Sequence, residues 1–446
     1  MINVNIENFD LLSPKLEREN IQLGLSRIKN ALRDLDDPCK NIPAIQIVGT
    51  NGKGSITAFI ENILYADKRN IGVTTSPHLF DICERIRVNK ENINKKEFKR
   101  LFKKKNIGVT TSPHLLDICE RIRVNKEKIN KEEFERLFKK IKNNLSNHKL
   151  SPFEQIICCA LIFFDFKKVD LLILEAGLGG RLDATTAHPL RPIIAIGNIG
   201  LDHKEYLGDS LEKIAKEKVA VIEKNAFVIS CRQEAEVEEI IKARVLEVNA
   251  KIIWKESLSN DYEIGLNGNF QKQNAAVAIG VIEELINFGF KVKERSIKEG
   301  LKNTKWSGRL EIINCFNKKI LVDSAHNFSA AKALSEERET WNYNNEGIYW
   351  ILGVQIHKDI TSMIKVLIKE NDHILLVPVP NQASWKLKDL SNMNELNHLN
   401  INEFEKVDLA FNYLLELEKW PKCTPVLTGS IFLVAEFIKF AKNQKF

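Results

Sequence analysis

The sequence predicts an α/β protein of two domains. The first is an N-terminal domain on a mostly parallel sheet with a P-loop-type turn, and the second a smaller C-terminal Rossmann-like α/β domain. Short apolar, β-rich runs alternate with segments of helical periodicity along the chain. Those runs lack the strict in-and-out alternation of a half-exposed sheet, so they belong to strands covered on both faces. At 446 residues the chain also exceeds what one hydrophobic core usually serves.

The elements follow in order. "IPAIQIVG" (42–49) is an apolar run ending in Gly49, and the stretch after it places Ile56, Ile60, Ile63 and Leu64 at helical spacing. The reading is strand, glycine-rich turn, helix. "NIGVTT" is the next strand-like string, followed by "VDLLILEAG" (169–177), "PIIAIGNIG" (192–200) and "NAFVIS" (225–230). A second set begins after "KNTKWSGR": "KKILVDSAH", "GIYWILGV", "DHILLVPVP" and "TPVLTGS", again with helical stretches between. The expected domains are 1–300 and 307–446, joined near 297–306.

Composition narrows the function classes. Apolar residues at 44% and charged ones at 28% describe an ordinary globular chain. The net charge of +7, from 66 basic and 59 acidic residues, is spread along the sequence and suits anionic small molecules as well as nucleic acid. Eight cysteines without a C-x-x-C pair read as buried free thiols in a reducing cytosol, against a disulfide frame or a zinc site. The polar N-terminus does not read as a signal peptide, and the apolar run from Ile156 to Phe164 is too short to span a bilayer. A cytoplasmic protein is expected.

One block occurs twice. Residues 70–105 and 106–141 differ only at Phe80/Leu116, Asn92/Lys128, Lys96/Glu132, Lys99/Glu135 and Lys105/Ile141. Both copies carry the strand-like string, and a single sheet slot beside the P-loop strand can hold only one. The first copy is favoured, because a short helix-to-strand connection places it next to the preceding helix. Against it, the helical stretch of the second copy has the better balanced charges.

Several residues are placed for chemistry. In "GTNGKGS" (49–55) small residues and Lys53 lie between strand and helix, where backbone N–H groups and a helix N-terminus favour phosphate. The string is not a strict Walker A motif, since Ile47 stands at its first glycine position and Gly54 separates Lys53 from Ser55. Its plain alternative is a connecting turn. Glu175 ends a buried strand and runs into glycines, a position suited to Mg²⁺, although a solvated carboxylate at a loop start fits the same letters. His203 follows the next strand, and a lone histidine is more often structural than a ligand. Lys218 reads locally as one solvated lysine among many. Arg309 and Asp323, with His326, bracket a strand of the second domain; arginine suits phosphate and aspartate suits ribose hydroxyls.

Taken in order, "IQLGLSRI", "GTNGKGS", "TTSPHL…ERIRVN", "SPFEQ", "LEAGLGGRLDAT", "GLDHKEYLG…IAKEK", "QNAAVAI", "WSGRLE", "DSAHN", "HKDI" and "LTGS" resemble the folylpolyglutamate synthases and dihydrofolate synthases of the Mur ligase superfamily. The strings run from about residue 21 to 435. The resemblance implies an ATP-dependent ligase that adds L-glutamate to dihydropteroate, folate or both through an acyl phosphate. It also implies an ATPase function for the first domain, glutamate-ligase function for the second, and ATP with two Mg²⁺ ions as cofactors. Only small-molecule partners are expected, with no nucleic acid or membrane, and the chain is expected to be a monomer. The alternatives are a catalytically impaired nucleotide-binding member of the superfamily and a cell-wall Mur ligase, whose P-loop usually has threonine directly after the lysine.

By the same resemblance, Thr50, Asn51, Gly52 and Lys53 cradle the phosphates, with Ser55 capping the helix or near the metal. Glu175 and His203 are metal ligands, joined by Ser76 or Ser112 from the duplicated "SPHL". Lys218 matches a lysine that is carbamylated in family members. Asn274, Arg309 and Asp323 match ATP contacts. Ile21, Gln22, Leu23 and Gly24, Ser151, Pro152, Phe153 and Glu154, and Leu182, Asp183 and Ala184 correspond to pterin-binding segments. Thr186, Val219, Ala220, Ser324 and Phe328 depart from the usual pattern without removing a named ligand.

Overall fold

The computed structural model describes residues 23–67, 71–74, 86–88, 123–124, 127–128, 146–341, 347–391, 393, 396 and 399–444. It divides into two compact units, Met1–Gly265 with Gln271–Lys305, and Leu266–Phe270 with Trp306–Phe446. The short segment 266–270 thus leaves the expected N-terminal domain for the second unit. Within that unit the Asn267 side-chain amide donates to the Leu310 carbonyl at 2.9 Å, and the Asn269 N–H to the Glu337 carboxylate at 2.8 Å.

The first unit is organised by a seven-stranded sheet. Its strands are β1 (Ala44–Val48), β2 (Ile71–Thr74), β3 (Ile86–Val88), β6 (Leu171–Glu175), β7 (Ile193–Ile196), β8 (Phe227–Cys231) and β9 (Lys251–Lys255). They lie in the order β3-β2-β6-β1-β7-β8-β9, and every pairing is parallel except the edge pair β2–β3. Two short strands of the second copy, β4 (Arg123–Val124) and β5 (Glu127–Lys128), pair with each other. Every residue of β1, β6 and β7 is buried, as the continuous apolar runs require of strands covered on both faces.

The duplication meets this order in a specific way. The strand in the sheet is that of the first copy, Ile71–Thr74, in parallel register with Leu171–Leu174. Its slot, however, is beside β6, and β6 separates it from the P-loop strand β1. The expected adjacency to the P-loop strand is therefore corrected: β6, buried along its whole length, takes that place. The corresponding string of the second copy lies outside the described residues.

Helix α2 (Lys53–Ala66) leaves β1 through the glycine-rich turn, and its residues from Ser55 to Leu64 are all buried. A helix buried on all sides belongs to the core, which makes its N-terminus a rigid feature. Helix α3 (Pro152–Lys167) starts from a capping box: the Ser151 hydroxyl accepts from the Glu154 N–H, and the Glu154 carboxylate from the Ser151 N–H. Among the described residues, no helix is long and apolar enough to cross a membrane.

The second unit has a six-stranded sheet of β10 (Glu311–Cys315), β11 (Lys318–Val322), β12 (Tyr349–Leu352), β13 (His373–Leu376), β14 (Asn400–Glu403) and β15 (Val426–Thr428). The order is β10-β11-β15-β12-β13-β14, parallel apart from the β10–β11 hairpin. Trp350 is the largest fully buried side chain. Beneath it the Arg338 guanidinium makes a two-pronged bond with the buried Asp372 carboxylate at 2.7 and 2.8 Å. The same carboxylate accepts from the N–H groups of Ile348 and Lys369 and from the Trp350 indole. Removing one partner of a buried pair leaves the other charge uncompensated, so Asp372→Ala should lower stability by about 3–5 kcal/mol in chemical denaturation of the full chain. Asp209→Asn, which deletes the exposed pair with Lys213, should leave the denaturation midpoint where it is.

Candidate functional site

The turn after β1 carries the strongest geometry. Gly52 has φ 83°, and a side chain there would meet the Asn274 Oδ1 at 2.4 Å, so this position needs glycine for conformation and for space. From it α2 begins, and the N–H groups of a helix's first turn have no helical carbonyl to reach. Lys53 folds its ammonium back over the turn and donates to the carbonyls of Gly49 (3.0 Å) and Thr50 (3.1 Å). The Ser55 side chain, expected at the cap or the metal, is buried in that first turn.

Two members of the expected cradle play a different part. The Thr50 and Asn51 N–H groups both donate to the Asn198 carbonyl, at 2.7 and 3.0 Å, so they are committed to the loop after β7. The Thr50 hydroxyl donates to the Gly200 carbonyl and accepts from the Gly200 N–H. Thr50 and Asn51 therefore anchor the turn, which leaves the α2 N-terminus and Lys53 as its groups suited to an anion. Asn274, on α6 (Asn269–Asn287), faces Gly52 and is held by a 2.9 Å bond from its amide to Gln271.

Lys218 differs most from its local reading as a solvated lysine. It lies near the end of α5 (Leu211–Val219), on whose exposed side Lys213 and Lys216 pair with Asp209 and Glu212. Lys218 points inward, is 4% exposed, and donates to the Gly49 carbonyl at 3.0 Å. Burial, and then the Lys53 charge, bring its pKa down to about 7, against the pull of Asp202 and Asp183.

Glu175, the last residue of β6, is 1% exposed. His203 adopts a left-handed conformation (φ 51°) ahead of α4 (Lys204–Leu207), and its ring is a third exposed between Asp202 and Glu205. Both stand after strands that flank β1, at the edge where its turn lies. Ser76 and Ser112 lie outside the described residues. Among the described residues no group of three or more His, Cys, Asp or Glu is gathered as a metal cluster.

The pterin segments divide in the same way. Ile21 and Gln22 lie outside the described residues, while Leu23 and Gly24 stand just before α1 (Ser26–Asp34). Ser151, Pro152 and Glu154 form the start of α3, with Glu154 also paired to Arg27 at 3.2 Å. Phe153 packs its ring against Gly177. Asp183 is buried between Leu182 and Ala184, accepting from the N–H groups of Gly177 and Leu178 at one oxygen and from the Thr185 N–H and hydroxyl at the other. Burial pushes its pKa up, and these donors hold it back. Its carboxylate shapes the glycine loop, and contact with a ligand is not its first use. Gly180 within that loop lies so close to α5 that a side chain would meet the Lys218 carbonyl at 2.7 Å.

In the second unit Asp323 is also committed internally. Its carboxylate accepts from the Leu310 N–H at 3.1 Å and the Ala325 N–H at 2.8 Å, and so holds the backbone beside Arg309, which is half-buried. Burial raises its pKa and the Arg309 charge opposes the rise. Sequence reasoning missed Gln46 and Arg191. Arg191 donates to Gln46, and the Gln46 amide donates to the hydroxyls of Thr185 (3.1 Å) and Thr186 (2.8 Å), bracing the loop from beneath. A glutamine inside an otherwise apolar strand was the available signal.

A P-loop-like turn on a parallel sheet, in a chain with a second α/β unit, is the architecture of a nucleotide-binding protein. Residues 309–440 match the family model described as dihydrofolate synthetase, C-terminal domain. The chain is 27% identical to a probable dihydrofolate synthetase of Schizosaccharomyces pombe, over 95% of this chain and 99% of that protein. It is likewise 27% identical to a dihydrofolate synthase/folylpolyglutamate synthase of Bacillus subtilis, over 95% and 96%. Its fold is similar to that of E. coli FolC in complex with DHPP and ADP (TM-score 0.78, 23% identity, 99% of this chain and 97% of that one). A bifunctional folylpolyglutamate synthase/dihydrofolate synthase with Mn, AMPPNP and L-glutamate bound gives a TM-score of 0.75 at 24% identity, over 96% of each chain. Along almost its whole length the chain is thus similar to dihydrofolate synthases and folylpolyglutamate synthases.

The Lys218 environment has a consequence for stability. In the unfolded chain the amine takes up its proton below its ordinary value of 10.5, whereas in the folded chain it does so only below about 7. Between these values unfolding binds a proton, so stability rises with pH from about 7 to 10. Lys218→Met should abolish this component. Urea denaturation of both proteins across that range, in buffer free of CO₂, checks it; parallel profiles would show that the amine is not held neutral.

Proposed function

We propose that this chain joins L-glutamate by an amide bond to the carboxylate of dihydropteroate, and of folates already carrying glutamate, at the expense of ATP. The observation that carries the reading is the meeting of Lys53 and Lys218 on the carbonyl of Gly49 at the start of a buried helix. Expelling oxide from a carboxylate is prohibitive, so its oxygen first takes the γ-phosphoryl group and ADP departs. The glutamate amine then attacks the acyl carbon, loses its proton, and phosphate leaves. Such a transfer needs alignment and charge neutralisation more than a covalent catalyst. Lys53 and the α2 N-terminus supply both to the phosphates. Glu175 and His203 would hold divalent ions, two in our reading, together with Ser76; bound there, the ions supply neutralisation of phosphate charge.

Lys218 fits carbamylation. An amine with a pKa near 7 is partly free base at neutral pH, the form that attacks CO₂. The product carbamate replaces a cation beside Lys53 with an anion, which turns their repulsion into attraction. The described cysteines are all free and buried, in keeping with the reducing cytosol in which we place the enzyme.

The direct test is ADP release that requires both glutamate and a pterin acid. Release dependent on a muramyl precursor would move the chain to the cell-wall branch, and ATP binding without turnover would mark it as impaired. Lys218→Ala should abolish release and regain part of it with a short carboxylic acid that supplies the missing anion. Failure of that rescue removes support for the carbamate.

The duplicated serines give a separate prediction. Ser76 follows the first-copy strand that pairs with β6, so Ser76→Ala should slow turnover on the order of 10-fold, as loss of one group stabilising transition-state charge does. Ser112→Ala should change it little. The reverse pattern in steady-state rates would assign the site to the second copy.

A further inference from the structure

We propose that Gln233 is a positioning residue for the phosphate-binding turn, acting through the segment 197–200; this rests on the nucleotide reading of that turn. The segment follows β7 and is bonded on two sides. Toward the turn, the Asn198 carbonyl accepts from the Thr50 and Asn51 N–H groups, and Gly200 exchanges two bonds with the Thr50 hydroxyl. On the other side, the Gln233 amide does what a neighbouring strand would do. Its oxygen accepts from the Ile199 N–H at 3.0 Å, and its nitrogen donates to the Gly197 carbonyl at 3.1 Å.

The backbone ladder between β7 and β8 reaches Ile196 opposite Ser230. Beyond it the chains no longer pair as strands, and one side-chain amide, with a donor and an acceptor at fixed separation, satisfies both backbone groups. Gln233 is itself held. Its nitrogen also reaches the Ser230 hydroxyl at 3.1 Å, and its backbone N–H donates to the Glu238 carboxylate at 3.2 Å. Asn198 lies between the two groups that Gln233 grips. The amide thus sets where the Asn198 carbonyl stands, and that carbonyl sets the backbone of Thr50 and Asn51 immediately before Gly52 and Lys53.

The test uses the full chain and two variants. Gln233→Met keeps the length and removes both bonds, and Gln233→Glu keeps the acceptor for Ile199 but not the donor for Gly197. With Gln233→Met, the Kd for ADP by calorimetry should rise on the order of 3- to 10-fold, the worth of one or two net hydrogen bonds. KM for ATP should follow, and kcat should move less. Amide exchange at Thr50 and Asn51 should quicken while exchange within β1 and β7 stays unchanged. Gln233→Glu sets a carboxylate oxygen against the Gly197 carbonyl, so it should quicken exchange at Thr50 and Asn51 and weaken ADP binding at least as much as Gln233→Met, and it carries the test alone if Gln233→Met does not fold. Unchanged exchange at Thr50 and Asn51 with unchanged ADP affinity would overturn the proposal, as would a lowered Tm with affinity intact. If the wild type binds no ADP, the nucleotide reading fails, and the exchange measurement still decides whether Gln233 orders the turn.

Discussion

The carbonyl oxygen of Gly49 accepts hydrogen bonds from two lysine side chains, Lys53 on the helix that follows it and Lys218 from a helix far along the sequence. Two cations converging on one carbonyl in a buried place repel, and the loss of hydration, helped by that repulsion, brings Lys218 down to about 7. Much of the first unit is arranged so that this contact can form. β1 must end where the turn begins, α5 must approach the glycine loop closely, and Gly180 must lack a side chain against the Lys218 carbonyl. Neutralising the pair, by a phosphate at Lys53 or a carbamate at Lys218, then becomes favourable in proportion to the cost of leaving it alone.

Around this contact the loops at the edge of the sheet are held from within by polar groups that ligands do not need to supply. Arg191, Gln46, Thr185 and Asp183 form a chain of donors and acceptors from the sheet to the glycine loop. Thr186 joins it by donating to the Gly180 carbonyl at 2.8 Å. The chain of bonds shows why a residue can belong to a functional motif without being aimed at a ligand. Asp183 and Glu154 are such residues: one organises a loop and the other starts a helix. Asp323 has the same use in the second unit, on the backbone beside Arg309.

Strands buried on both faces were legible because their side chains are nearly all apolar, and β1, β6, β7, β12, β13 and β15 fall inside the runs expected of them. Edge strands were not. β9 (KIIWK) and β14 (NINE) carry lysine, asparagine and glutamate because one flank meets solvent, and that composition reads as loop. The neighbour of β6 was also misplaced, since pairing order depends on which crossovers pack and no local string states it. The glycine-rich turn, Glu175 at a strand end and the start of α3 were visible for local reasons: positive φ, strand termination and a capping box.

By itself the sequence determined the two α/β units, the strand–turn–helix that carries Lys53, and the resemblance to one group of enzymes, because periodicity, glycine and a run of ordered motifs are properties of neighbours along the chain. Tertiary structure alone decided which of three lysines on one short helix is buried, which polar residues are used internally, and which copy's strand lies in the sheet. Lys213 and Lys216 find carboxylates one turn away and stay in water, while Lys218 meets the Gly49 carbonyl. The difference between them is burial, and burial is set by what the rest of the chain brings to that face.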